Sequence, residues 1–177
     1  MKKTLIIVFS AIAIFFIGLF TWLFYFQYAR GEFILNSASS IDKGAITINE
    51  PFYLGFNVKW TGNGKPTIND IKLIKNDGSY LENDEVVTVE PFIEEFVPGL
   101  MNPTEALIEQ EAVEQGLVEG YLPAQNYTIN QQEFNVVLKV TLKDESYTNN
   151  INAIEIQYTN LNSQRENQFL YNGFFAQ

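Results

Sequence analysis

Between Thr4 and Ala29 the chain carries no charged residue, and most of that stretch is Leu, Ile, Val and Phe. A helix over it would be roughly 39 Å long at about 1.5 Å per residue, enough to cross a ~30 Å hydrocarbon core with some tilt. Lys2 and Lys3 precede the run and Arg30 follows it. The excess of positive charge at the amino end places that end in the cytoplasm and residues 31–177 outside. Trp22, Tyr25 and Tyr28 gather at the exit end, where amphipathic rings favour the outer headgroup layer. Cleaved signal peptides have apolar regions of about 7–15 residues that end at a small-x-small site. Here Phe26-Gln27-Tyr28 closes a much longer run, and Ser37 and Ser39 lie well past it. The expectation is therefore an uncleaved signal anchor in a single-pass protein of the cell membrane. Its parts are a cytoplasmic tip at 1–3, a transmembrane helix at 4–29, a stalk at 30–43 and an extracytoplasmic domain at 44–177. Ser10, Ala11, Ala13 and Gly18 are never four apart, so the helix shows no small-xxx-small face for a transmembrane partner.

The chain has no cysteine and no histidine. That excludes a disulfide framework, a thiolate nucleophile, a Cys/His zinc site and any mechanism built on an imidazole base. A formal net charge of −10 argues against nucleic acid, whose phosphates call for clustered Lys and Arg.

Beyond the stalk, period-two patterning recurs. Phe52, Leu54, Phe56, Val58 and Trp60 alternate with Tyr53, Gly55, Asn57 and Lys59. Phe134, Val136, Leu138, Val140 and Leu142 alternate in the same way, and so do Ile154, Ile156 and Tyr158. Further strands are expected at Ala45–Asn49, Ile68–Lys75, Val86–Phe92 and Asn167–Phe174. Asn76-Asp77-Gly78-Ser79 reads as a tight turn requiring positive φ. Seven strands separated by turn clusters predict an all-β, immunoglobulin-like antiparallel sandwich, with a jelly roll or small barrel as the alternative.

One segment, 93–130, breaks the strand rhythm. Pro98-Gly99-Leu100-Met101-Asn102-Pro103 leads into an expected helix over Thr104–Gln115, with Gly116 as its stop. Ala106, Leu107, Ile108, Ala112 and Val113 would form its apolar stripe. Charge is concentrated around it. No Lys or Arg occurs from Asn76 to Leu138, while thirteen acids do, and the rest of the outer domain balances eight acids with eight bases. Such a stretch reads in three ways: a solvated face, a docking surface for a basic partner, or a calcium site. Docking would use Glu94, Glu95, Glu105, Glu109, Glu111, Glu114 and Glu119. Calcium is the one cofactor the acids leave open, through Asp77, Glu82, Asp84 and Glu85, although no EF-hand spacing appears.

Enzyme readings are weaker. Among so many acids a glycosidase pair such as Glu94-Glu95 arises by chance, and no serine has a base beside it in a known spacing. Trp60, Phe169 and Tyr171 follow strand alternation and read as core, not as a sugar platform. The layout of basic start, anchor and cysteine-free β domain resembles many single-pass proteins of low-GC Gram-positive bacteria, a likeness that carries no residue-level function. The functional expectation is a non-catalytic, membrane-anchored interaction module with an unidentified protein partner. A cell-surface ligand- or calcium-binding domain is the alternative. On this reading, deletion of residues 98–120 leaves a folded domain.

Overall fold

The computed structural model describes residues 2–28, 31–95 and 106–176, with the side chains of the first segment described from 9 to 24. Helix α1 runs Lys2–Tyr28, and every described side chain on it is exposed. Among the described residues no helix is long and apolar enough to cross a membrane. The stretch of α1 whose side chains are described is shorter than the roughly 20 residues a span requires. The span expected over 4–29 therefore rests on the sequence.

The remainder is mostly β. Its strands are β1 (Phe33–Ala38), β2 (Pro51–Trp60), β3 (Thr67–Lys75), β4 (Val87–Glu95), β5 (Leu107–Ile108), β6 (Leu122–Pro123), β7 (Tyr127–Thr128), β8 (Glu133–Leu142), β9 (Ile151–Asn160) and β10 (Ser163–Leu170). They form two antiparallel sheets, ordered β1-β2-β8-β4-β6 and β10-β9-β3-β7, with β5 also pairing β2. The inward residues of β2, β8 and β9 meet in one core, together with Ile68, Leu73, Val87 and Ile93. Both sheets thus bury one face against the other, the arrangement of a β-sandwich.

Three differences from the sequence reading have physical causes. Residues 33–38, placed in the stalk, form β1 and pair antiparallel with β2 from Phe33↔Trp60 to Ala38↔Phe56. Polar Asn36 and Ser37 mask the pattern because β1 is an edge strand with a bulge between Leu35 and Ser37. Ala45–Asn49, read as a strand, is not one, and its backbone meets β8 through the Asn49 N–H to the Leu142 carbonyl at 2.8 Å. Asp42 instead accepts from the Gly44 N–H at 2.8 Å and starts a 3-10 turn at Lys43–Ala45. The last strand begins at Ser163, not Asn167, because Leu161 (φ 49°) and Asn162 (φ 62°) make a two-residue hairpin turn that leads straight into it.

The chain enters the sandwich at Gly31, beside Trp60 and Thr61. The opposite end gathers the β3–β4 loop, the β8–β9 loop and residues 171–176. At the Gly31 end, Gly31 and Gly62 touch backbone to backbone, and a Cβ on either would collide with the other and with the Trp60 ring.

Candidate functional site

The outward face of the β1-β2-β8-β4 sheet has two halves. Its outer positions on β2 are Tyr53, Gly55, Asn57 and Lys59, which a strict inside–outside reading exposes. Tyr53 is nevertheless only 1% exposed, and Val137 of β8 is fully buried. The cause is the inserted segment, which folds back over this face. Leu107, Ala112, Leu117 and Tyr121 form a second apolar cluster with Tyr53 and Val137, and Phe92 packs against it. The cover is stitched on by β5, where Leu107 pairs Tyr53, and by β6, where Leu122 pairs Ile93.

The expected helix is correspondingly short. Helix α2 spans Glu109–Glu114, because Leu107 and Ile108 are drawn into strand pairing. Glu111 reaches back to accept the Ile108 N–H at 3.2 Å. Gly116, at φ 68°, ends the turn as expected. Of the expected apolar stripe, Leu107 and Ala112 are buried while Val113 is 57% exposed.

The other half of the face carries a row of amides that sequence reasoning missed. Asn36 Nδ2 donates to Asn57 Oδ1 at 2.8 Å, Asn57 Nδ2 to Asn135 Oδ1 at 3.3 Å, and Asn135 Nδ2 to Glu94 Oε2 at 2.8 Å. Asn57, Asn135 and Glu94 are direct cross-strand partners on β2, β8 and β4. The β1 bulge turns Asn36 onto the same line. Every donor in the row points toward one carboxylate, so each bond polarises the next. The findable signal was polar residues at facing outer positions of β2 and β8, legible only once their register is known.

The expected acidic residues fall into unlike environments. Glu94 is 7% exposed, so it is no part of an open docking surface. Burial holds its carboxyl above the ordinary value of 4.5, against the Asn135 hydrogen bond that lowers it. Its neighbour Glu95 goes the other way. It accepts from the Tyr127 hydroxyl and from Asn130 Nδ2, bonds that hold its carboxyl below the ordinary value. Glu109 lies 3.9 Å from Lys139. Burial first, then Glu109 and Glu90, push the Tyr53 phenol up to about 12. Glu111, Glu114 and Glu119 are the exposed acids of the cover. Glu105 lies outside the described residues, as do the side chains of Tyr25 and Tyr28, and Trp22 is 57% exposed on α1.

Of the four residues named for calcium, Asp77 and Asp84 are engaged in local turns. Asp77 Oδ1 accepts from the Ser79 N–H and hydroxyl, and Asp84 Oδ1 from the Val86 and Val87 N–H groups. Those bonds hold both carboxyls below their usual range. Glu82 and Glu85 are exposed, and among the described residues no three acids gather as a metal-binding group.

Glu94 yields a test of this geometry. A carboxyl whose pKa rises on folding is most stabilising below about pH 4.5, and that contribution is lost as pH climbs through the raised value. Glu94→Gln keeps an acceptor for Asn135 and removes the buried charge. It should raise stability by about 1 kcal/mol above that window and leave it little changed below. Melting curves from about pH 4 to about pH 8 check this, and a parallel offset at every pH would contradict it.

Fold and face together define a two-sheet antiparallel β-sandwich with an acidic cover strapped over half of one sheet. No protein-family model matches the chain, and no curated protein is significantly similar to it.

Proposed function

We propose that this is a non-catalytic, membrane-anchored binding module, held by residues 4–29 with its sandwich outside the cell, and that the outer surface of the cover docks a basic protein partner. The observation that carries this reading is how the cover spends its residues. Its apolar side chains turn inward onto Tyr53 and Val137, while Glu111, Glu114 and Glu119 remain outward beside Val113 and Leu122, 57% and 43% exposed. An apolar contact ringed by like charge, in a stretch without Lys or Arg, suits a partner with basic residues around an apolar centre. The anchor is supported by the uncharged run and by a helix that is apolar all round, a pattern that needs burial in lipid or protein.

Reversing the three exposed acids (Glu111→Lys, Glu114→Lys, Glu119→Lys) leaves the buried apolar contacts of the cover in place and gives up the bonds that Glu111 accepts from the Ile108 N–H and Glu114 from Gln110. With full-length protein tagged after Gln177 and crosslinked in native membranes, the wild type should retain a stoichiometric basic partner. The triple variant should lose it by about 2 kcal/mol or more, a thirtyfold effect. Equal recovery with both proteins would remove the acidic surface from the account.

A further inference from the structure

The chain passes from α1 into the sandwich with almost no slack. Helix α1 ends at Tyr28, and Gly31 is already fixed in the fold. The steps between them reach at most about 11 Å. The Gly31 carbonyl accepts the Tyr158 hydroxyl at 3.2 Å, and its backbone abuts that of Gly62. Glu32 follows, its N–H donating to Thr61 Oγ1 at 3.0 Å and its carbonyl accepting the Thr61 N–H at 3.0 Å. With residues 4–29 in a bilayer, the Gly31 end is therefore held within reach of the headgroup layer, roughly 5–7 Å deep.

The two ends of the sandwich also differ in charge. Residues 61–66 and 129–132 lie together at the Gly31 end, where Trp60 N–H donates to the Gln132 carbonyl at 2.7 Å and Lys65 Nζ to Asn130 Oδ1 at 3.3 Å. The β9–β10 turn at 161–162 joins them, since Thr159 pairs Thr67. These three connections hold Lys65 and no acid. Glu32 and Glu133 flank them, and Glu133 lies 3.5 Å from Lys59. At the far end, 76–86 and 143–150 carry Asp77, Glu82, Asp84, Glu85, Asp144 and Glu145 against Lys143. An anionic membrane surface attracts the first end and repels the second. Leu161 adds an apolar contact. It holds φ 49° and is 57% exposed at the hairpin tip. Two-residue turns of positive φ favour Asn or Gly, so leucine there gains neither backbone ease nor burial within the fold.

We propose that the Gly31 end is a lipid-contact surface, resting on the outer headgroup layer with Leu161 dipped into it and Lys65 on a lipid phosphate. This placement rests on the anchor proposed above, and it leaves the acidic cover free at the side. The chain has no cysteine, so Phe16→Cys, Leu161→Cys and Leu170→Cys each carry a single fluorophore on the full-length protein. Leu170 lies about 30 Å along β10 from Leu161. In vesicles of phosphatidylcholine and phosphatidylglycerol, nitroxide quenchers are placed either at the lipid headgroup or at mid-chain. The label at Phe16 should lose emission to the mid-chain quencher, that at Leu161 to the headgroup quencher, and that at Leu170 to neither. Leu161→Asn should raise the melting temperature in detergent, because Asn accepts positive φ. A quenched Phe16 label beside an unquenched Leu161 label would overturn this proposal and leave the anchor standing. An unquenched Phe16 label would remove the anchor and the proposal with it. Equal quenching at Leu161 and Leu170, or a melting temperature lowered by Leu161→Asn, would also overturn it.

Discussion

Phe33→Ala should destabilise the outer domain by about 3–5 kcal/mol, the range for removing a fully buried aromatic ring. Phe33 is 2% exposed and its ring sits 5.0 Å from Trp60, 4.9 Å from Tyr158 and 5.7 Å from Phe134. Trp60 and Phe134 belong to one sheet and Tyr158 to the other, so this side chain closes the core at the end where α1 joins. Its own N–H donates to Asn167 Oδ1 at 3.0 Å, tying edge strand β1 to edge strand β10. The neighbouring Ile34 is 42% exposed, and Ile34→Ala should change stability by no more than about 0.5 kcal/mol. Urea unfolding of the two variants separates a structural strand from a stalk. Equal midpoints would put residues 33–38 back outside the domain.

The second large effect concerns the cover. Removing residues 98–120 should cost at least about 4 kcal/mol, because Leu107 and Leu117 leave the folded protein at about 2 kcal/mol each. Tyr53 and Val137 would also lose their cover. Exposed together, these residues form a fresh apolar patch on a sheet, and the shortened protein should self-associate. The deletion therefore cannot serve as a clean probe of partner binding, whereas charge reversal on the outer surface can. Thermal melting with light scattering reads both effects. A truncated domain that melts within a degree or two of the wild type as a monomer would show that the cover contributes nothing to the fold.

The long strands were legible because each buries one face completely. Phe134 through Leu142 and Phe52 through Trp60 alternate without a break, and each register is set by a core that allows no slip. The edge strand β1 was not legible, since a bulged strand with Asn36 and Ser37 at its centre lacks that period. The outer face failed for a different reason. Tyr53 stands among outward residues, and only a segment more than 50 positions away in the chain makes it core. No local pattern announces that, although a tyrosine at an outward strand position, followed by a long insertion holding Leu107, Leu117 and Tyr121, is consistent with it. The acids were legible as a bias of charge and not as a site. Glu94 and Glu95 are adjacent in sequence, yet strand alternation sends one to the buried end of the amide row and the other toward Tyr127 and Asn130, with opposite consequences for their ionisation.

The most direct test of the account is site-specific photocrosslinking in native membranes. A photoreactive residue at Val113, in the centre of the acidic cover, is compared with one at Leu170, which is 83% exposed on the other sheet. The account predicts a single crosslinked protein from Val113, abolished by reversing Glu111, Glu114 and Glu119, and none from Leu170. The same adduct from Leu170, or no adduct from Val113 in membranes where the protein is abundant, would contradict docking through the cover.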